Sequence, residues 1–324
     1  MKIGIISLGG ESSLQLAQAC KKYFKKVDLL DIKQFEVHLT DTGVNVTYDK
    51  RDLDKYDCLY IRGSFRYALL QRSITRALHN KTYMPMVPSA FTIGHDKFLT
   101  LLELQKKKLP IPKTYYAASP NLAKKLLEKV KYPVILKVAK GTHGKGVMMA
   151  DSLQSAKTIL DMLDEFKEPF IIQEFVKTKK TTDIRAIVAG KKILASYKRK
   201  AAVNEVRANT HLGGTRLAHE LTDEEKRLAI SSAKALGADI CGVDILNAKK
   251  PSVIEVNLSP SLYTAKEITG KDVLKDVSKY LYKKTKEFKE LKRKKRNGNG
   301  HSNGNGLGAN GSGKVITSRD LIYR

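Results

Sequence analysis

Asp244, Glu255 and Asn257 are three hard oxygen ligands set close together, and a divalent cation is the chemistry they suit. They fall in the runs GVDIL (242–246) and VIEVN (253–257), which read as two strands joined by a polar turn holding Lys249, Lys250 and Pro251. Strand alternation puts Val243 and Ile245 on one face and Asp244 on the other, while Ile254 and Val256 oppose Glu255 and Asn257. Pairing symmetric about the turn sets Leu246 against Val253 and Asp244 against Glu255. Opposed carboxylates repel and weaken a hairpin, so a cation between them is expected. A plain solvated face is the competing reading. Three oxygen ligands on one face, with only aliphatic residues on the other, favour the metal. Magnesium is typically held by one or two carboxylates plus substrate phosphates, so a phosphate site should lie nearby.

Cationic residues supply one. Lys137 sits among Val134, Ile135, Leu136 and Val138, where an unpaired ammonium is costly and calls for an anion. The loop 139–146, AKGTHGKG, lets the backbone lie against phosphate and carries Lys140, His143 and Lys145 at its tip. Asp183 and Arg185 share a face of a hairpin over 183–188 and 193–199, and a polar loop over 203–215 carries Arg207 and Asn209. Motifs for zinc peptidases, serine hydrolases, protein kinases and Walker-type nucleotide binding are missing. What remains suits phosphoryl transfer, in which the protein positions groups and neutralises charge.

The elements that must hold these residues follow from periodicity. Residues 1–88 alternate strands (2–7, 27–32, 58–62) with helices (12–24, 67–80), a small α/β domain with a mostly parallel sheet. One long helix is expected over 90–107, then a helix from Ser119-Pro120 through 130, a hairpin over 132–151 around the glycine loop, and a helix over 152–166. A strand follows at 170–176. Thr222 and Glu225 form a capping box for a helix reaching Leu236, and helices over 271–291 finish the folded part. Residues 292–296 are five consecutive cations, and 297–313 are almost all Gly, Asn and Ser, the composition of a disordered tail. The expected division is 1–88, 89–168, 169–290 and a basic tail 291–324.

A net charge of +27 over 324 residues points to acidic partners. Cys20, Cys58 and Cys241 are far apart and form no metal or disulfide pattern, so a reduced, cytoplasmic setting is expected. No apolar run reaches membrane-spanning length.

From Gly94-His95-Asp96-Lys97 to Ser259-Pro260 the chain resembles the ATP-grasp ligases, and within them the RimK-type glutamate ligases. The matching stretches are HDK, LKVAKGTHGKGV, IIQEFV, DIRAIV, RAN, HLGG, GVDIL and IEVNLSP, in the family's order. The resemblance implies an N-terminal pre-ATP-grasp α/β domain followed by a two-lobed ATP-grasp fold, α+β in character. It also implies that Lys97 and Lys137 hold the ATP phosphates beneath Gly141, Thr142, His143, Gly144, Lys145 and Gly146. Glu174, Phe175 and Val176 would bind adenine and Asp183 would lie beside the ribose. Arg185, Arg207 and Asn209 would sit near the terminal phosphate and carry catalysis, and Asp244, Glu255 and Asn257 would ligate two Mg2+ (or Mn2+) ions. Arg62 would help bind the acceptor. The implied reaction phosphorylates an acceptor carboxylate and joins it to an amino acid, commonly L-glutamate.

Two departures stand out: His143 and Lys145 make the loop unusually basic, and Leu258-Ser259-Pro260-Ser261 replaces the family's usual A-S-P-G. The acceptor expected is acidic: a protein tail, a glutamylated coenzyme or a carrier protein. The alternatives are a glutathione synthetase-like ligase for another amino acid and small acid, and a basic RNA- or ribosome-associated protein with a secondary ATP site. The sequence leaves the oligomeric state open.

Overall fold

The computed structural model describes residues 1–298 apart from 42, 54, 140, 142–145, 166–168, 179–181 and 202–213. The chain begins with β1 (Lys2–Ser7), α1 (Glu11–Cys20), β2 (Lys26–Asp31), β3 (Phe35–Thr40), β4 (Gly43–Tyr48), β5 (Arg51–Asp52), β6 (Cys58–Arg62) and α2 (Ala68–Leu78). β1 is almost wholly apolar and buried, as a strand flanked on both sides must be, and it lies parallel between β2 and β6. The expected parallel sheet is therefore present. A second, antiparallel sheet ordered β3-β4-β5, which periodicity did not suggest, stands beside it.

Next come α3 (Pro88–Gly94), α4 (Lys97–Lys106), β7 (Thr114–Tyr115), α5 (Pro120–Leu127), β8 (Val134–Val138), β9 (Val147–Ala150), α6 (Leu153–Glu165) and β10 (Phe170–Glu174). The single long helix expected over 90–107 is two helices. The break falls at His95-Asp96, where the Asp96 carboxylate accepts from the Leu99 N–H at 3.0 Å and starts a new helix. Lys97 thereby stands at the first position of α4 instead of in mid-helix. β7, β10, β8 and β9 form an antiparallel sheet covered by α5 and α6 around Leu127, Leu136, Leu160 and Ile172.

The remainder is β11 (Thr182–Ala189), β12 (Lys192–Lys200), β13 (Thr215–Ala218), α7 (Asp223–Leu236), β14 (Ile240–Leu246), β15 (Ser252–Asn257), α8 (Leu262–Thr269) and α9 (Val273–Gly298). Its strands make one antiparallel sheet in the order β13-β12-β11-β14-β15. The capping box opens α7 as expected, and Gly237 ends it in the left-handed region (φ 65°). α9 continues to Gly298, past the boundary expected at 290. Lysines and arginines are good helix formers, and their positive charge suits the negative end of a helix dipole. The larger core joins this sheet to the N-terminal α/β layer and to α4, through Ile3, Tyr60, Leu104, Ile187, Val243 and Leu281. No described helix is long and apolar enough to cross a membrane.

Candidate active site

Two sheets face one another across a cavity of about 810 Å³. Lys97, Lys137, Gly141, Glu174, Phe175 and Val176 line one side, and Asp183, Arg185, Asp244, Glu255 and Asn257 line the other. Gly146 lies at the hairpin base, where its carbonyl accepts from Val138 and its φ of 71° places it in the left-handed region. Thr142, His143, Gly144, Lys145, Arg207 and Asn209 lie outside the described residues.

Lys97 donates to the Gly141 carbonyl at 3.1 Å, tying α4 to the start of the glycine loop. Lys137, on β8, donates to the Gln173 amide oxygen of β10 at 2.6 Å. A neutral partner does not offset removal from water, so burial pulls the Lys137 ammonium down to about 8, despite Glu255 across the slot. A triphosphate against this lysine would raise its pKa again. ATP binding should therefore take up a proton above pH 8, and affinity should fall by about tenfold per pH unit there. Calorimetric titration from pH 7 to 9.5 checks this, with Lys137→Met expected to bind more weakly and to lose that slope.

Asp244 sits opposite Glu255, as the spacing predicts, but the rest of the hairpin register differs. Ile245 pairs with Val253 and Leu246 with Ser252, leaving Ile254 as an extra residue in a bulge. Ile254 is thus turned off the face of Val256, which stays buried, and lines the cavity beside Glu255.

The charge between the opposed acids is also not what the spacing suggests. Arg185 of β11 grips Asp244 with two bonds, Nε to Oδ1 at 2.7 Å and Nη2 to Oδ2 at 2.6 Å. Arg199 of β12 adds a third, Nη2 to Oδ2 at 2.8 Å, and holds both oxygens of Asp183 at 2.7 Å. Burial alone would raise the Asp244 carboxyl, but the two guanidiniums overcome it and keep the group below the usual carboxylate range. A divalent ion is therefore not required to make the facing carboxylates tolerable, because Arg185 and Arg199 already neutralise Asp244. The best orientation of the Asn257 amide points its oxygen at Arg185 Nη2 (2.9 Å) and its nitrogen at Glu255 Oε1 (3.2 Å). Asp244, Glu255 and Asn257 still present hard oxygens side by side, a set that fits magnesium once the guanidiniums yield. Among the described residues no group of three His, Cys, Asp or Glu forms a metal cage.

Other placements refine the expectations. Both Asp183 oxygens are taken by Arg199, and Glu174 Oε1 accepts from Tyr115 (2.9 Å) and lies 3.1 Å from Lys113. Arg62 is buried and committed to protein partners: the Pro260 carbonyl at 2.8 Å, Ser12 at 3.1 Å and Ser13 at 3.2 Å. It ties the N-terminal domain to the segment after β15 that borders the cavity. His95 lines the cavity with a buried Nε2 that has no hydrogen-bond partner among the described residues, and burial pulls its pKa down to about 4. Sequence reasoning missed Arg199, although the 183–188/193–199 hairpin pairs it with Asp183 at its open end.

The site geometry meets an independent likeness. The RimK-like ATP-grasp domain matches residues 94–281. A probable alpha-L-glutamate ligase of Marinomonas sp. (strain MWYL1) is 34% identical over 288 residues, covering 87% of this chain and 96% of the relative. The ATP-grasp ligase PsnB, solved with a phosphomimetic variant of its minimal precursor, Mg and ADP, superposes with a TM-score of 0.67 at 15% identity, covering 88% of this chain and 98% of that one. D-cycloserine synthetase DcsG superposes with a TM-score of 0.65 at 15% identity, covering 88% and 100%. With the family's domain spanning more than half of the chain and close sequence kinship along most of its length, this protein belongs to the RimK-like ATP-grasp family and is an ATP-dependent ligase.

Proposed function

We propose that the chain joins the amino group of an amino acid, L-glutamate first among them, to a carboxylate of an acidic acceptor through an acyl phosphate. The observation that carries this reading is that Lys97 and Lys137 share one cavity with Asp244, Glu255 and Asn257. Cations that would hold a triphosphate thus lie opposite oxygens that would hold its metal. The name of the Marinomonas relative supports glutamate, and the surplus of positive charge supports an acidic acceptor such as a protein tail, a glutamylated coenzyme or a carrier protein.

In this mechanism an acceptor carboxylate oxygen bonds to the γ-phosphorus while the bond to the β-phosphate oxygen breaks and ADP departs. The amine nitrogen, in its neutral form, then attacks the acyl carbon, phosphate leaves with the C–O bonding pair, and the proton lost from nitrogen passes to the departing phosphate or to water. Lys97, Lys137 and Arg185 offset the charge of the phosphates, while Arg207 and Asn209 would meet the terminal one. Thr142, His143, Gly144 and Lys145 would close over the chain of phosphates. The backbone of Phe175 and Val176, with Glu174, would frame adenine, and Asp183 would act through Arg199 near the ribose. One or two Mg2+ or Mn2+ ions on Asp244, Glu255 and Asn257 would supply charge neutralisation. The site is rich in cations and poor in general bases, as expected when phosphorylation has already activated the acyl group.

The test is to incubate the protein with ATP, Mg2+, glutamate and acidic peptides or host-cell extract. ADP and phosphate should form along with a glutamyl mass gain on the acceptor. AMP and pyrophosphate would reject the acyl phosphate. A second reading, a ligase for a different amino acid and small acid, is favoured by Leu258-Ser259-Pro260-Ser261 bordering the cavity and separates in the same assay by replacing glutamate.

A further inference from the structure

We infer that Arg199 holds the Asp244 carboxylate closed to a divalent cation until nucleotide arrives, so that metal and nucleotide bind together instead of independently. The inference rests on the ligase reading above and gives Arg199 a positioning role within it. Its guanidinium bridges two carboxylates: Nη2 donates to Asp183 Oδ2 at 2.7 Å and to Asp244 Oδ2 at 2.8 Å, and Nε donates to Asp183 Oδ1 at 2.7 Å. Arg185 fills what remains, bonding Oδ1 at 2.7 Å and Oδ2 at 2.6 Å. Oδ2 of Asp244 therefore accepts from two guanidiniums at once, which uses both of its lone pairs. The Asp244 side chain is 2% exposed, so little water screens a cation approaching it from these fixed charges.

The two arginines are not equivalent in how they can let go. Both of the bonds that Arg185 makes to an acid end on Asp244, and losing them would leave its charge with only the neutral Asn257 amide oxygen. Arg199 keeps a two-point grip on Asp183 when it releases Asp244, so one bond is exchanged and the guanidinium remains paired. Its side chain also lines the cavity that Lys97 and Lys137 enter, where a triphosphate would present new acceptors. A polyanion there would draw Arg199 off Asp244 and bring the cation that replaces it. Metal alone offers Arg199 no such substitute. The affinity of each ligand must then rise by the same factor when the other is bound.

The experiment titrates Mn2+ into the full chain, following free Mn2+ by electron paramagnetic resonance, with and without a non-hydrolysable ATP analogue. Wild type should bind Mn2+ about tenfold or more tightly with the analogue present. Against a protein-free control for Mn2+ held by the analogue itself, Arg199→Gln should gain nucleotide-independent Mn2+ binding. It should narrow the coupling to the part that the analogue's phosphates supply as ligands, and adding Glu255→Gln should remove the gained binding. Because Arg199→Gln leaves Asp183 buried without its partner, Arg199→Gln/Asp183→Asn, which neutralises both, serves as the second variant and should behave alike. Arg199→Lys should restore part of the coupling. A merely structural arginine would give no gain in metal affinity when removed. Unchanged coupling in both variants, or wild-type Mn2+ binding without nucleotide as tight as theirs, overturns the role of Arg199 alone. Failure of the wild type to bind the analogue overturns the ligase reading and this inference with it.

Discussion

Glu255→Gln is expected to lower ATP-dependent ligation by about 10³-fold or more while leaving the unfolding midpoint almost unmoved. The side chain keeps its shape, and its polar contact is with the Asn257 amide at 3.2 Å, which an amide oxygen can also accept. Arg185 is turned to Asp244, and Arg199 to Asp183 and Asp244, so neither relies on Glu255. What the substitution removes is a negative charge near Lys137 and, on the proposed mechanism, a ligand for the cation that would neutralise the reacting phosphates. ADP release with glutamate and acceptor present measures the first effect, and thermal or denaturant unfolding measures the second. Activity within a few-fold of wild type would remove Glu255 from the metal site.

Asp244→Ala should behave differently, losing activity to the same degree and also destabilising the chain by roughly 3–5 kcal/mol. Here the carboxylate is the buried, shared partner of two guanidiniums on a five-stranded sheet, and its removal leaves one of them without its acid. Urea unfolding of the single variant checks the size. A double variant, Asp244→Ala/Arg185→Met, should recover part of the loss because it deletes the stranded charge together with its partner. An Asp244→Ala protein as stable as wild type would show that the arginines find other acids readily and that the network is not structural. The contrast between Glu255 and Asp244 separates two uses of a carboxylate on the same row of the sheet, one for ligand and one for both ligand and fold.

Much of this was legible because it depends on local rules. Alternation in GVDIL puts Val243 and Ile245 in the core, and that burial fixes which face carries Asp244. A lysine inside an apolar strand signals a slot, and Lys137 lines one. Ser119 and Thr222 cap the helices they announce. The helix break at His95-Asp96 was less visible, since the apolar spacing runs straight through it. The capping bond of Asp96 and the seat of Lys97 against the glycine loop decided the matter.

The sequence by itself determined the family, the parallel core of the first domain and the face of Asp244, because side-chain period and motif spacing are properties of neighbouring residues. Only the tertiary structure decided what neutralises Asp244, why Ile254 leaves the core face, and that Arg62 serves as a tie between domains. Those outcomes turn on which strands lie side by side in the sheet. A cross-strand partner such as Arg199, 45 residues from Asp244, becomes a neighbour only when β12, β11 and β14 assemble in that order.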